Sequence, residues 1–172
     1  MSNIIVEKTS IFLKNKEALI NFLKTESDRL YKNYEYEHNG GKSSFKVWGK
    51  LHQQLPSAVM GNLVDRIIRV LNHEYKFIDM WTNIHPSQAY TARHNHFTDQ
   101  YPNLLSGAYY LKKPKNSGNI VFDEEGIVNI EENDLLIFNQ PKDRGYHWTE
   151  PNNSKEDRIV ISFNMEPNEL KR

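Results

Sequence analysis

The sequence contains no cysteine in its 172 residues. A disulfide framework, a thiolate zinc site and a cysteine nucleophile are therefore excluded, and metal chemistry would have to use histidine and carboxylate ligands. An excess of charge of either sign is also missing, because Lys plus Arg number 22 and Asp plus Glu number 22. No overall electrostatic field attracts a polyanion, so we expect no nucleic-acid partner.

Long apolar runs are missing as well. The first residues, MSNIIVEKTS, lack the apolar core of a signal peptide, and no later run approaches the roughly 20 apolar residues of a membrane span. We therefore expect a cytoplasmic protein with no membrane partner. The length fits one domain, residues 1–172, that can bury a sizeable core.

The first part of the chain, to about residue 74, shows helical periodicity. Ile4 to Val6 is a candidate short strand, and the apolar spacing from Ile11 to about Tyr31 predicts a helix. Ser43 to Trp48 follows a glycine-rich turn and fits a strand or an ordered loop. Pro56 opens a second predicted helix that runs to about Asn72.

From Tyr75 to about residue 166 the period changes to that of strands. The β-prone runs are separated by proline, glycine, asparagine and charged turns; they are KFIDMWTNI, SGAYYLKK, NIVFD, IVNI, DLLIFN and DRIVISFNM. Short strands at this spacing indicate a sandwich or barrel. We predict an α+β domain with a double-stranded β-helix core, a cupin-like jelly roll, flanked by the N-terminal helices.

Three histidines in the strand-rich part are candidate metal ligands. His94 and His96 stand at i and i+2, which project to one side of an extended strand, and His147 lies downstream. Three protein ligands on one face of a divalent metal leave positions open for substrate and oxygen or water. The alternative is that all three are surface or hydrogen-bonding histidines. His85 lies near the predicted mouth and is a candidate for substrate contact, with a loop histidine as the favoured alternative, and Trp148 is a second candidate.

Arg158 is a charged residue at the start of an otherwise apolar alternating run. A guanidinium that points into a barrel needs a partner, and its planar fork suits a carboxylate. Ser162, four residues on, lies on the same strand face and could add a hydroxyl. The alternative reading is a salt bridge to a neighbouring carboxylate such as Glu156 or Asp157.

The runs HNHFTDQYPNLLSGAYYL, DLLIF, GYHWTEP and RIVISFN resemble the core of the iron(II)- and 2-oxoglutarate-dependent dioxygenases. The likeness is to the prolyl-hydroxylase-like branch and its short phage-type relatives, and it covers roughly Glu37 to Met165. That superfamily has histidine, any residue, a carboxylate, a distant histidine, and then arginine or lysine about ten residues later. The spacing from His147 to Arg158 fits this pattern. A phage-encoded protein of this kind would work in the host cytoplasm.

The resemblance implies roles for individual residues. His94 and His147 would bind iron, and Arg158 would bind the distal carboxylate of 2-oxoglutarate. Ser162 and Tyr110 would assist Arg158. Two further implications are that Tyr109 points away from the site and that Asn83 contacts the metal-proximal end of the cosubstrate.

His96 departs from the pattern, because most of the superfamily has a carboxylate there. Either His96 is the third ligand, or two histidines plus water hold the metal and His96 serves the substrate or the surroundings of the metal. We favour ligation. Three neutral imidazoles leave the charge of iron(II) undiminished, so that a dianionic 2-oxoglutarate would neutralise it.

The resemblance implies an enzyme with iron(II), 2-oxoglutarate and O₂ that hydroxylates a C–H bond of an unidentified small molecule, protein or peptide. Peptidyl proline is one candidate substrate. Two alternatives remain: a cupin-type three-histidine dioxygenase that does not use 2-oxoglutarate, and a non-catalytic jelly-roll binding module.

Overall fold

The computed structural model describes residues 4–8, 16–31, 40–44 and 49–168. This part of the chain contains two α-helices, α1 (Lys16–Tyr31) and α2 (Ser57–Leu71), and a short 3₁₀ turn, Leu51–Gln53. Its strands are β1 (Ile4–Glu7), β2 (Lys42–Ser43), β3 (Tyr75–His85), β4 (Leu105–Lys112), β5 (Ile120–Phe122), β6 (Gly126–Val128), β7 (Leu135–Asn139), β8 (His147–Thr149) and β9 (Arg158–Pro167).

The predicted elements agree with these bounds where the chain is described. The strand expected at Ile4–Val6 is β1, and the helix expected from Ile11 is α1, although residues 9–15 lie outside the described ranges. Only residues 43 and 44 of the strand or loop expected at Ser43–Trp48 are described, with Ser43 in β2. The three-residue strand β8 was not predicted.

Helix α2 begins and ends where the sequence indicates. Pro56 precedes it with φ −53°, a value that the proline ring itself imposes, and Asn72 ends it in the left-handed conformation at φ 50°. The Asn72 N–H donates to the carbonyl oxygen of Ile68 at 2.7 Å. Leu63 and Ile67, one turn apart, are buried, so this face of α2 belongs to the core.

The strands form two antiparallel sheets. The larger sheet has six strands in the order β1-β7-β4-β9-β3-β2, and the smaller has three in the order β6-β5-β8. Consecutive strands are often not neighbours in this order, which is the crossing connectivity of a jelly roll. The predicted α+β class with a jelly-roll core is confirmed.

Strand β9 shows how the large sheet separates two environments. Its residues alternate between the two faces because the side-chain period of a strand is two. Ile159, Ile161 and Phe163 join a core that includes buried residues of α1 and α2. Val160 joins the second core, which includes Ile120 and Phe122 of the smaller sheet.

The face of the large sheet that looks toward the small sheet is unusually polar. Besides Val160 and other apolar residues, it carries side chains of three neighbouring strands, namely Trp81, Asn83 and His85 of β3, Ser106 and Tyr110 of β4, and Arg158, Ser162 and Asn164 of β9. The register places His85 opposite Arg158, and Ser106 opposite Asn164. Polar side chains inside a sandwich need partners, and they mark this interior as a candidate ligand-binding site.

No helix in the described ranges combines the length and hydrophobicity that crossing a membrane requires.

Candidate metal centre

Backbone pairing brings His94 next to His147. The His94 N–H donates to the His147 carbonyl oxygen at 3.0 Å, and the His147 N–H donates back to the His94 carbonyl oxygen at 2.9 Å. Residues that exchange both bonds in an antiparallel pair lie directly opposite each other and project to the same face. His96, two residues after His94, projects to that face as well. The spacing therefore predicted the common face, and the pairing with β8 supplies the third member.

The three imidazoles converge on one point. Their ring centroids lie 4.3 Å apart for His94 and His147, 4.9 Å for His94 and His96, and 5.1 Å for His96 and His147. One nitrogen from each ring lies within 4.8 Å of the others. The Nε2 atoms of His94 and His96 are 2.9 Å apart. Two nitrogens each about 2.1 Å from a metal and at right angles would be about 3.0 Å apart, so this distance fits adjacent ligands of an octahedral ion.

The outer nitrogens of two of the rings donate to backbone oxygens. His94 Nδ1 lies 2.8 Å from the Ala92 carbonyl oxygen, and His147 Nδ1 lies 2.9 Å from the Gly145 carbonyl oxygen. A carbonyl oxygen only accepts, so each Nδ1 carries the hydrogen, and the Nε2 of the neutral ring keeps its lone pair. Such outer partners set the tautomer and orientation of metal-binding histidines.

Burial favours the neutral form of two of the imidazoles, those of His96 and His147. Burial, with the neighbouring His94, lowers the pKa of His96 to about 3. Burial, with His96 and His94 close by, holds the pKa of His147 well below 6.5. Neutral imidazole is the form that binds a metal, so these two rings hold a lone pair ready at neutral pH.

A cavity of about 570 Å³ opens beside the three histidines. This volume lies within the range typical of small-ligand sites. On one side of the histidines it reaches Arg158, Thr149 and Tyr110, and it is also lined by Trp81 and Phe97. The cavity thus joins a set of metal-ligand nitrogens to a buried cation.

Arg158 is 1% exposed and forms no salt bridge with a carboxylate of the described residues. Its Nη1 donates to the carbonyl oxygens of Ser117 and of Glu150, the second at 3.3 Å, and its Nη2 donates to Thr149 Oγ1 at 2.8 Å. Its Nε is buried without a hydrogen-bond partner. The salt-bridge alternative is wrong, because neither carboxylate pairs with Arg158: Asp157 pairs with Lys24 and Glu156 with Lys112.

The unpaired guanidinium is electrostatically costly. Burial lowers the pKa of Arg158, which shows that the charged form is disfavoured there, although an arginine stays protonated in proteins. A buried charge is normally paired, and a carboxylate in the cavity would supply that pairing. Arg158 is therefore placed to bind a small anion.

Three further predicted residues line the same cavity. Tyr110 is buried beside Arg158, and burial raises the pKa of its phenol to about 12, so the hydroxyl keeps its proton. Tyr109 packs in the opposite core, as expected from strand alternation. Ser162 and Asn83 are hydrogen-bonded to each other, with Asn83 Nδ2 3.0 Å from Ser162 Oγ.

The two candidates for substrate contact differ. His85 lines the cavity, and its Nε2 lies 2.8 Å from Thr91 Oγ1. Trp148 does not line the cavity, because it stands between His147 and Thr149 in a strand whose alternate residues project to opposite faces. The structure therefore does not bring Trp148 to the site.

Several residues of the site were missed from the sequence. Thr149 binds Arg158, while Ser106 and Asn164 contact the outer nitrogen of His96. Asn164 had a detectable signal, since it shares strand parity with Arg158 and Ser162 and is a polar residue in an apolar run. Thr149 and Ser106 had none, because threonine and serine occur widely in strands and turns.

Solved structures with this architecture were found by comparison of folds. A viral collagen prolyl hydroxylase from Paramecium bursaria Chlorella virus-1, solved as a 2-oxoglutarate complex, superposes with a TM-score of 0.68 at 14% identity, over 95% of this chain and 96% of that chain. A Pseudomonas putida prolyl-4-hydroxylase gives 0.68 at 16% identity, over 98% and 95%. The fold is that of the 2-oxoglutarate-dependent oxygenases.

HygX from Streptomyces hygroscopicus, which shares this fold, was solved with nickel and 2-oxoglutarate bound. It has a TM-score of 0.67 at 12% identity, over 96% of this chain and 83% of that chain. No protein-family model matches the sequence, and no curated protein matches it significantly. The likeness to the oxygenases is therefore one of fold.

Proposed function

We propose that this protein is an iron(II)- and 2-oxoglutarate-dependent oxygenase that hydroxylates a C–H bond. The observation that carries the proposal is the pairing of two features in one cavity: three convergent imidazole nitrogens and a buried guanidinium without a carboxylate partner in the described residues. A molecule that satisfies both must chelate a metal at one end and carry a carboxylate at the other. 2-Oxoglutarate has this chemistry, and it is bound in two of the structures that share the fold.

In this proposal His94, His96 and His147 hold the iron. When bound, the iron with 2-oxoglutarate and O₂ supplies the oxidant that converts C–H to C–OH, and 2-oxoglutarate leaves as succinate and CO₂. The three imidazoles would hold the ion from one side, so that small molecules in the cavity could reach it. Their carbonyl and amide partners keep the rings from turning.

Arg158 binds the distal carboxylate, and the Tyr110 hydroxyl donates to the same group. Ser162 adds a hydroxyl on the same sheet face, and Asn83 orients it through their hydrogen bond. Thr149 holds the guanidinium in place through Nη2. Because Arg158 and Tyr110 are almost fully buried, the pair would bind the carboxylate with little competition from water.

The same cavity offers the substrate a set of aromatic rings and uncharged polar groups. The rings are Trp81, Phe97 and Tyr101, and Gln100 and Thr98 lie among them. Aromatic faces suit the apolar pyrrolidine ring of a prolyl residue, so a peptidyl proline is the first substrate to test. His85 lies at the arginine side of the same cavity and is placed to contact bound groups.

The test is an anaerobic titration with iron(II) and then with 2-oxoglutarate, followed by admission of O₂. We expect one equivalent of iron to bind, a metal-to-2-oxoglutarate charge-transfer absorption to appear, and succinate to form when a suitable substrate is added. A panel of proline-containing peptides tests the substrate class through hydroxyproline formation. Iron binding without any response to 2-oxoglutarate would refute the proposal.

The three imidazoles also support one alternative function. A three-histidine dioxygenase that does not use 2-oxoglutarate would bind a substrate carboxylate with Arg158 instead. Oxidation of a substrate with no consumption of 2-oxoglutarate would favour this rival. Succinate formed in proportion to product would exclude it.

A further inference from the structure

His96 is held from three sides by residues of other strands. Its backbone N–H donates to Gln140 Oε1 at 2.8 Å, directly after β7. Its ring Nδ1 lies 3.0 Å from Ser106 Oγ of β4 and 3.0 Å from Asn164 Oδ1 of β9. Ser106 and Asn164 face each other across the sheet, and Ser106 Oγ donates to Asn164 Oδ1 at 2.7 Å. The three anchors fix both the backbone and the ring of His96.

The partners of Nδ1 decide which nitrogen of His96 faces the other histidines. The Asn164 side-chain oxygen accepts hydrogen bonds and cannot donate, so His96 donates to it through a protonated Nδ1. The neutral ring then has its lone pair on Nε2, which lies 2.9 Å from the Nε2 of His94. Asn164 therefore fixes the tautomer of His96, as the carbonyl oxygens of Ala92 and Gly145 fix those of His94 and His147.

We propose that Asn164, supported by Ser106, is the positioning residue that makes His96 a metal ligand. The inference rests on the proposed metal centre and explains how this chain could use histidine where the dioxygenase pattern has a carboxylate. A carboxylate ligand needs no chosen tautomer, whereas an imidazole binds through Nε2 only if Nδ1 holds the proton. Replacing the carboxylate by histidine thus requires an acceptor behind the ring.

A purely structural role for the pair makes a different prediction. Ser106 is 1% exposed and Asn164 is 4% exposed, so the two could simply satisfy each other's hydrogen bonds. In that case the amide could equally present Nδ2 to His96. His96 would then carry its proton on Nε2, and its lone pair would face away from the metal. The tautomer of His96 in the metal-loaded protein therefore separates the two roles.

The experiment loads the full-length protein with zinc, a diamagnetic ion, and records nitrogen-15 NMR spectra of the histidine rings. We expect the His96 Nδ1 to be protonated and exchange-protected in the wild type and in Asn164→Asp. In Asn164→Leu this protection should be lost. Zinc affinity, measured by competition with a chelator, should fall about 10- to 100-fold in Asn164→Leu and should be retained within a few-fold in Asn164→Asp.

Three further variants calibrate the result. His96→Ala sets the affinity of a site without this ligand, and Ser106→Ala, which keeps the Asn164 oxygen, should show a smaller loss than Asn164→Leu. Thr82→Val changes a buried polar residue on the other face of the same sheet and should bind zinc as the wild type does. Thermal unfolding of each metal-free variant shows which of them fold.

The outcomes are distinct from those of the proposed function. Wild-type zinc affinity in Asn164→Leu, or a His96 ring protonated at Nε2 in the loaded wild type, would overturn the positioning role. Full zinc affinity in His96→Ala would overturn it as well. If the Asn164 and Ser106 variants behave as expected but 2-oxoglutarate does not bind, the positioning role stands and the proposed oxygenase activity fails.

Discussion

Replacing Arg158 by methionine tests the proposed cosubstrate site most directly, because it removes the charge and keeps most of the side-chain length. In the wild type the guanidinium is 1% exposed, so a carboxylate bound to it is shielded from water. Removing one partner of a buried, hydrogen-bonded charge pair costs about 2 to 5 kcal/mol. That cost corresponds to about 30-fold to about 4,000-fold weaker 2-oxoglutarate binding.

This change has two opposing effects on the stability of the protein without ligand. Loss of the charge removes a desolvation cost, but the Ser117 and Glu150 carbonyl oxygens and the Thr149 hydroxyl lose a donor. The informative quantity is therefore the additional stability that 2-oxoglutarate confers on each zinc-loaded variant. At a concentration 100 times the wild-type Kd the ligand adds about 2.7 kcal/mol, and a 100-fold weaker variant would gain only about 0.4 kcal/mol.

The assay is thermal unfolding with and without 2-oxoglutarate, supported by a direct anaerobic titration with iron(II). Arg93→Met is the matched control, because Arg93 stacks on Tyr146 and pairs with Asp123 outside the cavity lining. The control should keep the full gain in stability. Metal affinity without 2-oxoglutarate should be nearly unchanged in both variants. An equal gain in wild type and Arg158→Met would refute the reasoning that assigns the anion to Arg158.

Four other changes test the site. His94→Ala or His147→Ala should abolish tight metal binding in a chelator competition while circular dichroism stays native, and stoichiometric metal in either variant would contradict the triad. Tyr110→Phe should weaken 2-oxoglutarate by about 0.5 to 1.5 kcal/mol, measured by titration, because one hydrogen bond is lost; no change would leave Tyr110 as packing. His96→Asp should retain iron, since it restores the commoner ligand set, and loss of iron equal to that in His96→Ala would count against that expectation. The free energy of unfolding of the metal-free protein should fall as pH drops below 6.5, because the pKa values of His96 and His147 are lowered in the folded state and the unfolded state therefore binds more protons. The fall should be at most about 1.4 kcal/mol per pH unit for each of the two histidines. A flat chemical-denaturation profile from pH 7 to 5 would refute this expectation.

Much of the fold could be predicted because its signals are local. Apolar spacing located α1 and α2, and alternation located the long strands β3, β4 and β9. The same alternation placed Tyr109 and Tyr110 on opposite faces. The strand β8 escaped prediction because His147–Thr149 contains no aliphatic residue, whereas β5 and β6, which are equally short, lie in the apolar runs NIVFD and IVNI.

The residues of the candidate site also differ in whether a short stretch of sequence reveals them. The i and i+2 spacing of His94 and His96, and the charge of Arg158 in an apolar run, are visible in short stretches of sequence. The contact of Ser106 with Asn164 depends on the register of β4 against β9, which joins residues 58 positions apart. Cross-strand register is set by packing of the whole sheet, so no short stretch of sequence reveals it. Residues that support a ligand are for this reason harder to predict than the ligand itself.

The residue at position 96 sets the net charge of the cavity and, through it, the attraction for a dianionic cosubstrate. With three neutral imidazole ligands the proposed iron(II) site would keep two positive charges, and the buried guanidinium of Arg158 would add a third to the same cavity. A dianionic cosubstrate would cancel most of this charge, whereas a neutral ligand would leave it buried and costly. A carboxylate at position 96 would lower the charge of the cavity by one and weaken its attraction for a dianion. We therefore expect His96→Asp, if it retains metal, to bind 2-oxoglutarate less tightly than the wild type, and tighter binding would refute this electrostatic account of the histidine.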